Sequence, residues 1–524
     1  MSLVILLAIV LAYVPQPRAA PLPMPPVADD IHVKIMEFKG MLSRQTDKEK
    51  IKKAIEIDRK SKEAFDSGNP ALTLKLISAG IAYLKGNDAA NAVNIDALIN
   101  AAGAAADAPL SGRFNHLYAD SPFGILGPYE YWMASPEVAS KEAINTMLLD
   151  LGAKWVAELP FELKNLPRDI NIYTRVGTFP GLFPPNIDYD RYIPLLKNQV
   201  ASFKDRVKYY EIDTEPLGKF SGWDGNAVKY AVFLKRSYGV IKSVCPECYV
   251  VLGGLPGAGV AASPSDANSR FLHEILKDGA SSGKLFDVFA FKQHFHGLKD
   301  YRIIKSRLDV YRKILSDYGV NIDKMPVFLE TALYDGTPRA REFTLPPQTE
   351  TDQAIGVVKT YVYAISIGIT RVYWNGVMEL YKFGGNPYDP FNFYALVNNK
   401  KNDGNSHKKL AYYTYKKMVE TLEGSNWKLT ETIRDSDGVF ICRFLKGGRH
   451  IWVVWSDNQQ ATPVTLNLAA ASKVNITMSV PKVFSGKQIA DYDSAFVTTA
   501  AATDDTGDLT IRAASVPVYI EEAQ

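Results

Sequence analysis

The chain has 524 residues, 47% of them hydrophobic and 22% charged, with 60 Lys and Arg against 57 Asp and Glu. That length suits about three or four domains and a large core, and its three cysteines cannot form a disulfide framework. The near-neutral charge balance argues against a nucleic-acid-binding chain, and 36 Gly with 30 Pro excludes collagen-like and low-complexity readings.

Leu3 to Val14 is an almost unbroken apolar run, short of the roughly 20 residues of a membrane span. It reads as the apolar core of a secretory signal peptide, with Ala19 and Ala20 near a cut. No Lys or Arg precedes the run and Pro21 crowds the cut, so an uncleaved anchor is the alternative. Pro15 to Pro26 follows as a stiff tether. Residues 1–27 are thus assigned to a signal peptide or anchor plus tether, and the chain is expected outside the cytoplasm. A membrane partner is expected only if that anchor is kept.

Residues 28–110 have a helical pattern. Asp47 to Ala64 alternates charge signs, as a solvated helix face does, and Leu72–Leu84 and Ala89–Ala102 carry Ala- and Leu-rich periodicity. This segment reads as a cap or spacer.

Residues 111–424 alternate strand and helix. Apolar runs recur at Phe123–Leu126, Lys154–Leu159, Ile170–Val176, Val207–Ile212, Tyr249–Leu252, Phe286–Phe291, Pro326–Leu329 and Arg371–Trp374. Helical spacing separates most of them, at Asp188–Asp205, Arg302–Tyr318 and Thr351–Ile367 among others. Eight such units over this length predict an α/β fold, the (β/α)8 TIM barrel. The rival is an open doubly wound sheet, disfavoured because no GxGxxG follows the first strand. Residues 425–524 lose the helices. Val439–Phe444, His450–Trp455, Pro463–Leu468, Val474–Val480 and Val516–Ile520 predict an antiparallel β-sandwich.

A barrel of this kind places its active site at the C-terminal ends of its strands. The fourth run, VKYYEIDTEPLG, ends in Glu211, Asp213 and Glu215, and the seventh, MPVFLETALYDG, reaches Glu330. Paired carboxylates about 5 Å apart serve retaining glycosidases, and pairs roughly 6.5–9.5 Å apart serve inverting ones. Spacing alone leaves open two solvated carboxylates with no joint task.

Thr214-Glu215-Pro216 at the end of strand four, Phe328-Leu329-Glu330-Thr331 on strand seven and Trp374 at the end of strand eight resemble clan A of the glycoside hydrolases. The resemblance runs over the barrel and into the terminal sandwich, with its HIWVVWSDN and SVPVYIEE strands. It implies a retaining enzyme with Glu215 as acid/base and Glu330 as nucleophile, a carbohydrate substrate and no cofactor. Thr214 stands where the clan has an Asn that binds the sugar 2-hydroxyl. Ala157 stands where many members have an Arg that supports the nucleophile. His294 and His296 fall where members often carry a His and a Tyr.

Thr214, His294, His296, Tyr334 and Trp374 are accordingly the expected substrate contacts, with Trp132 and Trp223 as weaker stacking candidates. His294 and His296 also resemble a metal pair, but no third His or Cys accompanies them, and no metal is assigned. Cys245 and Cys248 read as a small disulfide if the chain is exported, against a redox or zinc half-site. Glu211 and Asp213 are expected on the side of Glu215, tuning its proton affinity, and the carboxylate facing Glu330 is expected to hold its proton the longer. The commitment is a glycosidase whose carboxylates lie about 5–5.5 Å apart. The alternatives are a catalytically weak carbohydrate-binding or scaffold barrel and a transglycosylase. Sugar identity and oligomeric state are not legible.

Overall fold

A computed structural model describes residues 110 and 112–523, apart from 130–138, 178–183, 219–220, 258–262, 280–283, 341–342, 383–385, 405 and 469–472. Nearer the N-terminus it describes residues 70–85 and scattered positions between 38 and 61. The expected signal peptide or anchor, Ala89–Ala102 and Trp132 lie outside the described residues. Among those described, no helix is long and apolar enough to cross a membrane.

Helix α1, Pro70–Leu84, presents Ile77, Ile81 and Leu84 at helical spacing. They pack with Phe38, Ala54 and Ile57 in a small core separate from the barrel's.

The barrel strands are β1 (Phe123–Leu126), β2 (Trp155–Glu158), β3 (Asn171–Val176), β4 (Val207–Ile212), β5 (Tyr249–Leu252), β6 (Phe289–His294), β7 (Val327–Ala332) and β8 (Arg371–Asn375). All pair in parallel, in the order β5-β4-β3-β2-β1-β8-β7-β6. Bonds from Leu252 N to Val288 O (3.1 Å) and Lys292 N to Leu255 O (2.8 Å) close the ring between β5 and β6. Parallel neighbours need long crossovers. These are α2 (Lys141–Asp150), α3 (Tyr189–Phe203), α4 (Ala227–Val244), α5 (Ala267–Gly279), α6 (Ile303–Asp317) and α7 (Glu350–Ser366), with α8 (Leu410–Leu422) after β8. The β2–β3 connection departs from the pattern: it is a 3₁₀ turn over Pro160–Asn165. Polar residues start several of the helices. Ser140, Asp188 and Asn226 cap α2, α3 and α4, and Thr349 with Asp352 forms a capping box on α7.

Alternation sorts each strand into two faces. Phe289, Phe291, Leu329, Val372 and Trp374 join the core between strands and helices. Ala157, Tyr173, Tyr209, Ala290, Phe328 and Tyr373 fill the barrel. At the N-terminal end of the barrel the Arg371 guanidinium lies over Trp155, Tyr209 and Phe328, 4.0, 4.6 and 4.8 Å from their ring centres.

Strand β6 begins and ends three residues later than its apolar run. Asp287, inside that run, is bound instead by Val250 N (3.0 Å) and Lys242 (2.8 Å). The strand then continues through Lys292, Gln293 and His294, polar residues that are nevertheless buried.

After the barrel come β9 (Glu431–Ser436), β10 (Val439–Lys446), β11 (Arg449–Ser456), β12 (Thr462–Asn467), β13 (Lys473–Met478), β14 (Thr498–Ala502), β15 (Asp508–Ala513) and β16 (Val518–Glu522). Six form an antiparallel sheet in the order β9-β10-β11-β16-β13-β14, and β12 pairs with β15. Val439, Ile441, Trp452 and Val454 pack against that pair. Phe440, Cys442, Phe444, Val453 and Trp455 point the other way and join the barrel's core cluster.

Candidate active site

Strand β4 delivers its carboxylates through a strained turn. Asp213 and Glu215 have φ of 61° and 44°, in the left-handed region that non-glycine residues avoid at a cost of about 1–3 kcal/mol each. The turn is fixed by bonds from Asp213 N to Val176 O (2.8 Å) and Gly218 N to Glu215 O (2.7 Å). Asp213 itself accepts from Thr214 N (2.8 Å) and Trp223 Nε1 (2.6 Å). Burial pushes the Asp213 carboxyl up to about 6, against the pull of those two donors. Asp213 therefore secures the turn, and Trp223, buried beneath it, does the same and offers no sugar platform.

Glu211 lies on the barrel's inner face. Its Oε1 accepts from Gly254 N (2.8 Å) and its Oε2 from Arg175 Nε (3.1 Å). Arg175, on β3, reaches on to Glu330 Oε2 with Nη2 at 3.4 Å. Lys292 on β6 is the Cα partner of Glu330 on β7. Its ammonium lies 2.7 Å from Glu330 Oε2 and 2.9 Å from Glu215 Oε1. The five side chains form a line of alternating charge: Glu211, Arg175, Glu330, Lys292, Glu215. A Cβ at position 254 would press within 3.3 Å of the Lys292 stem, so Gly254 makes room for it.

These contacts bound the distance between the facing oxygens of Glu215 and Glu330. Two oxygens that share one nitrogen can be no further apart than the two distances added, 2.9 Å and 2.7 Å. That limit applies to the two facing oxygens, Glu215 Oε1 and Glu330 Oε2.

Burial pushes the Glu330 carboxyl up, but Lys292, His294 and Arg175 outweigh it and hold the group well below the usual carboxylate range. Burial pushes the Lys292 ammonium down, and Glu330 and Glu215 outweigh that and raise it. The sequence reading set two bare carboxylates against each other; the structure puts a cation between them.

Of the other expected contacts, His294 comes closest to the pair, its Nε2 lying 3.5 Å from Glu330 Oε1. The Thr214 hydroxyl is buried and makes no hydrogen bond among the described residues. His296 binds Asp300 through its amide N–H (3.1 Å), and its carbonyl accepts from the Tyr334 hydroxyl (2.9 Å). Tyr334 and Trp374 are fully buried. Trp374 faces the helices, with its ring N–H on Tyr394 O (3.0 Å), so it leaves no ring face for a sugar. Asn375, one residue on and on the opposite face of β8, is buried with an unbonded side-chain NH₂.

Ala157 fills the barrel interior, and the guanidinium that reaches Glu330 comes from Arg175 one strand further on. Sequence reasoning missed Arg175 and Lys292. Both lie near the C-terminal ends of their strands, Arg175 in NIYTRV and Lys292 in FAFKQH, beside other polar residues. Cys245 and Cys248 are joined as a disulfide.

No family model and no curated protein matches this chain. Solved structures do. A glucosidase from Croceicoccus marinus superposes with a TM-score of 0.52 at 13% identity, over 80% of this chain and 98% of that one. A monomeric β-xylosidase from Caulobacter crescentus CB15 gives 0.50 at 13%, over 79% and 97%. A thermostable α-L-arabinofuranosidase from Thermotoga petrophila RKU-1 gives 0.51 at 10%, over 79% and 98%. The barrel with its terminal sheet is thus the fold that these three structures share.

Proposed function

We propose that the protein is a retaining glycoside hydrolase acting on an oligo- or polysaccharide. The observation that carries this reading is the shared ammonium, which brings one oxygen of Glu215 and one of Glu330 together, as the short separation of double displacement requires. Glu330, held ionised, attacks the anomeric carbon. Glu215 donates a proton to the leaving oxygen and afterwards takes one from water. The buried, unbonded Thr214 hydroxyl is the group nearest in sequence to Glu215 that can accept a sugar hydroxyl. The solved structures with this fold include proteins described as glucosidase, xylosidase and arabinofuranosidase, which supports hydrolysis at an O-glycosidic bond.

A panel of aryl glycosides tests the reading, with the anomeric configuration of the first-formed product followed by NMR. Retention supports it; inversion, or no turnover on any member, overturns it. A second reading, a carbohydrate-binding barrel without turnover, draws on Lys292 occupying the space between the carboxylates. Binding of the same sugars without hydrolysis would establish it.

We also propose that the protein works outside the cytoplasm. The Leu3–Val14 run and the Cys245–Cys248 disulfide support this. Recovery of the native chain only from the cytoplasmic fraction would refute it.

A further inference from the structure

Lys292 has no counterpart in the two-carboxylate mechanism, yet it is built into the centre of the site. It is 6% exposed, its Cα is in register with that of Glu330, and glycine at 254 leaves space for its stem. The charged and titratable groups around it come from every inward-facing strand end nearby: Arg175 from β3, Glu211 from β4, Glu215 from the turn after β4, His294 from β6 and Glu330 from β7. Arg175 is already engaged by Glu211 and reaches Glu330 only at 3.4 Å. Among the described residues, Lys292 is the cation that touches both members of the pair.

Resting on the glycosidase reading, we propose that Lys292 is a positioning residue that clamps Glu215 and Glu330 as one charged unit. It sets both their separation and the pH range in which the unit keeps its working charge. Its ammonium offsets the repulsion that two facing carboxylates would otherwise feel. Without it, Glu215 and Glu330 would share a proton to higher pH and spring apart when that proton left. The clamp gives way on the Glu215 side when a leaving-group oxygen takes that contact. On the Glu330 side it holds the nucleophile in line.

Two measurements test this, one of them independent of turnover. In Lys292→Met, which keeps the stem and removes the charge, both limbs of the kcat/KM pH profile should move up by about one unit or more. The value of kcat should fall on the order of 10²-fold through lost alignment. Separately, the Tm of wild type, Lys292→Met, Glu330→Gln and the double variant should be followed from pH 5 to pH 8. Lys292→Met should lose Tm relative to wild type as pH rises, and Glu330→Gln should abolish that loss in the double variant. Parallel Tm–pH curves for wild type and Lys292→Met would overturn the proposal, as would unmoved limbs in an active protein. If the wild type turns over no glycoside, the glycosidase reading falls and the Tm series still decides the clamp.

Discussion

The two ends of the barrel each bury a cation, and they neutralise it differently. At the N-terminal end Arg371 lies among the faces of Trp155, Tyr209 and Phe328, with Nη2 on the Tyr209 hydroxyl at 3.3 Å. At the C-terminal end Lys292 and Arg175 lie between carboxylates. Ring quadrupoles hold a guanidinium in one place and exchange no protons with it. Carboxylates carry full charge and can gain or lose protons. One end of the same barrel therefore buries its cation among groups that do not titrate with it, and the other among groups that can. Lys359, 1% exposed, is another buried cation: it ties α7 to Asp457 of the terminal sheet at 2.8 Å.

The contrast can be broken most severely at Glu330. Glu330→Ala should remove more than about 10⁴-fold of kcat on every substrate in the folded fraction, beyond the usual range of general acid–base assistance. Steady-state rates on good and poor leaving groups check this.

Glu215→Ala should divide by leaving group. A loss of roughly 10²–10⁴-fold is expected where the departing oxygen needs a proton, with the glycosylation step largely spared for dinitrophenolate. Azide should then restore turnover and give a β-glycosyl azide from a β-glycoside. Rescue of Glu330→Ala instead, with inverted product, would reverse the two roles.

At the outer support the effect should be on folding alone. Asp457 accepts from Tyr301 (2.6 Å), Arg302 (3.1 Å) and Lys359 (2.8 Å). Asp457→Ala strands the buried Lys359 and should lower stability by about 3–5 kcal/mol, with kcat/KM unchanged in the folded fraction. Burial pushes the Asp457 carboxyl up, but Lys359, Tyr301 and Arg302 outweigh it and hold it below its ordinary value. The group's contribution is thus complete above the unfolded value of about 3.9 and is lost only as pH falls through the lower folded value. In denaturation across pH 2–6 the stability difference between wild type and Asp457→Asn should shrink as pH falls.

The smallest effect is expected at the barrel floor. Arg371→Met keeps the packing stem and should cost about 2 kcal/mol of stability through the lost ring contacts. The pH profile of kcat/KM should stay in place. A shifted profile would mean that charge at the floor is felt at the mouth, and the separation of roles drawn above would fail.

The barrel was legible because buried parallel strands are short apolar runs. Phe123–Leu126, Val207–Ile212 and Tyr249–Leu252 begin and end where the sequence places them. Legibility failed where polar groups are buried in pairs. Lys292, Gln293 and His294 look like the end of β6 in sequence, because what permits their burial is a partner on another element of the fold. Gln293, for one, accepts from Arg307 Nε at 2.7 Å. The same blindness hid Arg175. In the terminal sheet, the ETIRDS strand β9 was missed because it is an exposed edge with no apolar alternation. Glu215 and Glu330 meet on one ammonium, but the lysine joining them had no motif. Trp374 misled because a position after a strand does not reveal which face it takes.

The terminal sheet presents an apolar face on each side, and the face made by Phe440, Phe444 and Trp455 is continuous with the barrel's own helical shell. Phe440 and Trp455 stack at 4.3 Å, and Trp455 donates its ring N–H to the hydroxyl of Tyr301 on the barrel at 2.9 Å. On that side the barrel has no finished outer skin. Cutting the chain after α8 would leave a wet aromatic wall on one piece and a two-faced greasy sheet on the other. The terminal sheet is thus a wall that the barrel shares, and trimming it off would open the barrel's own core.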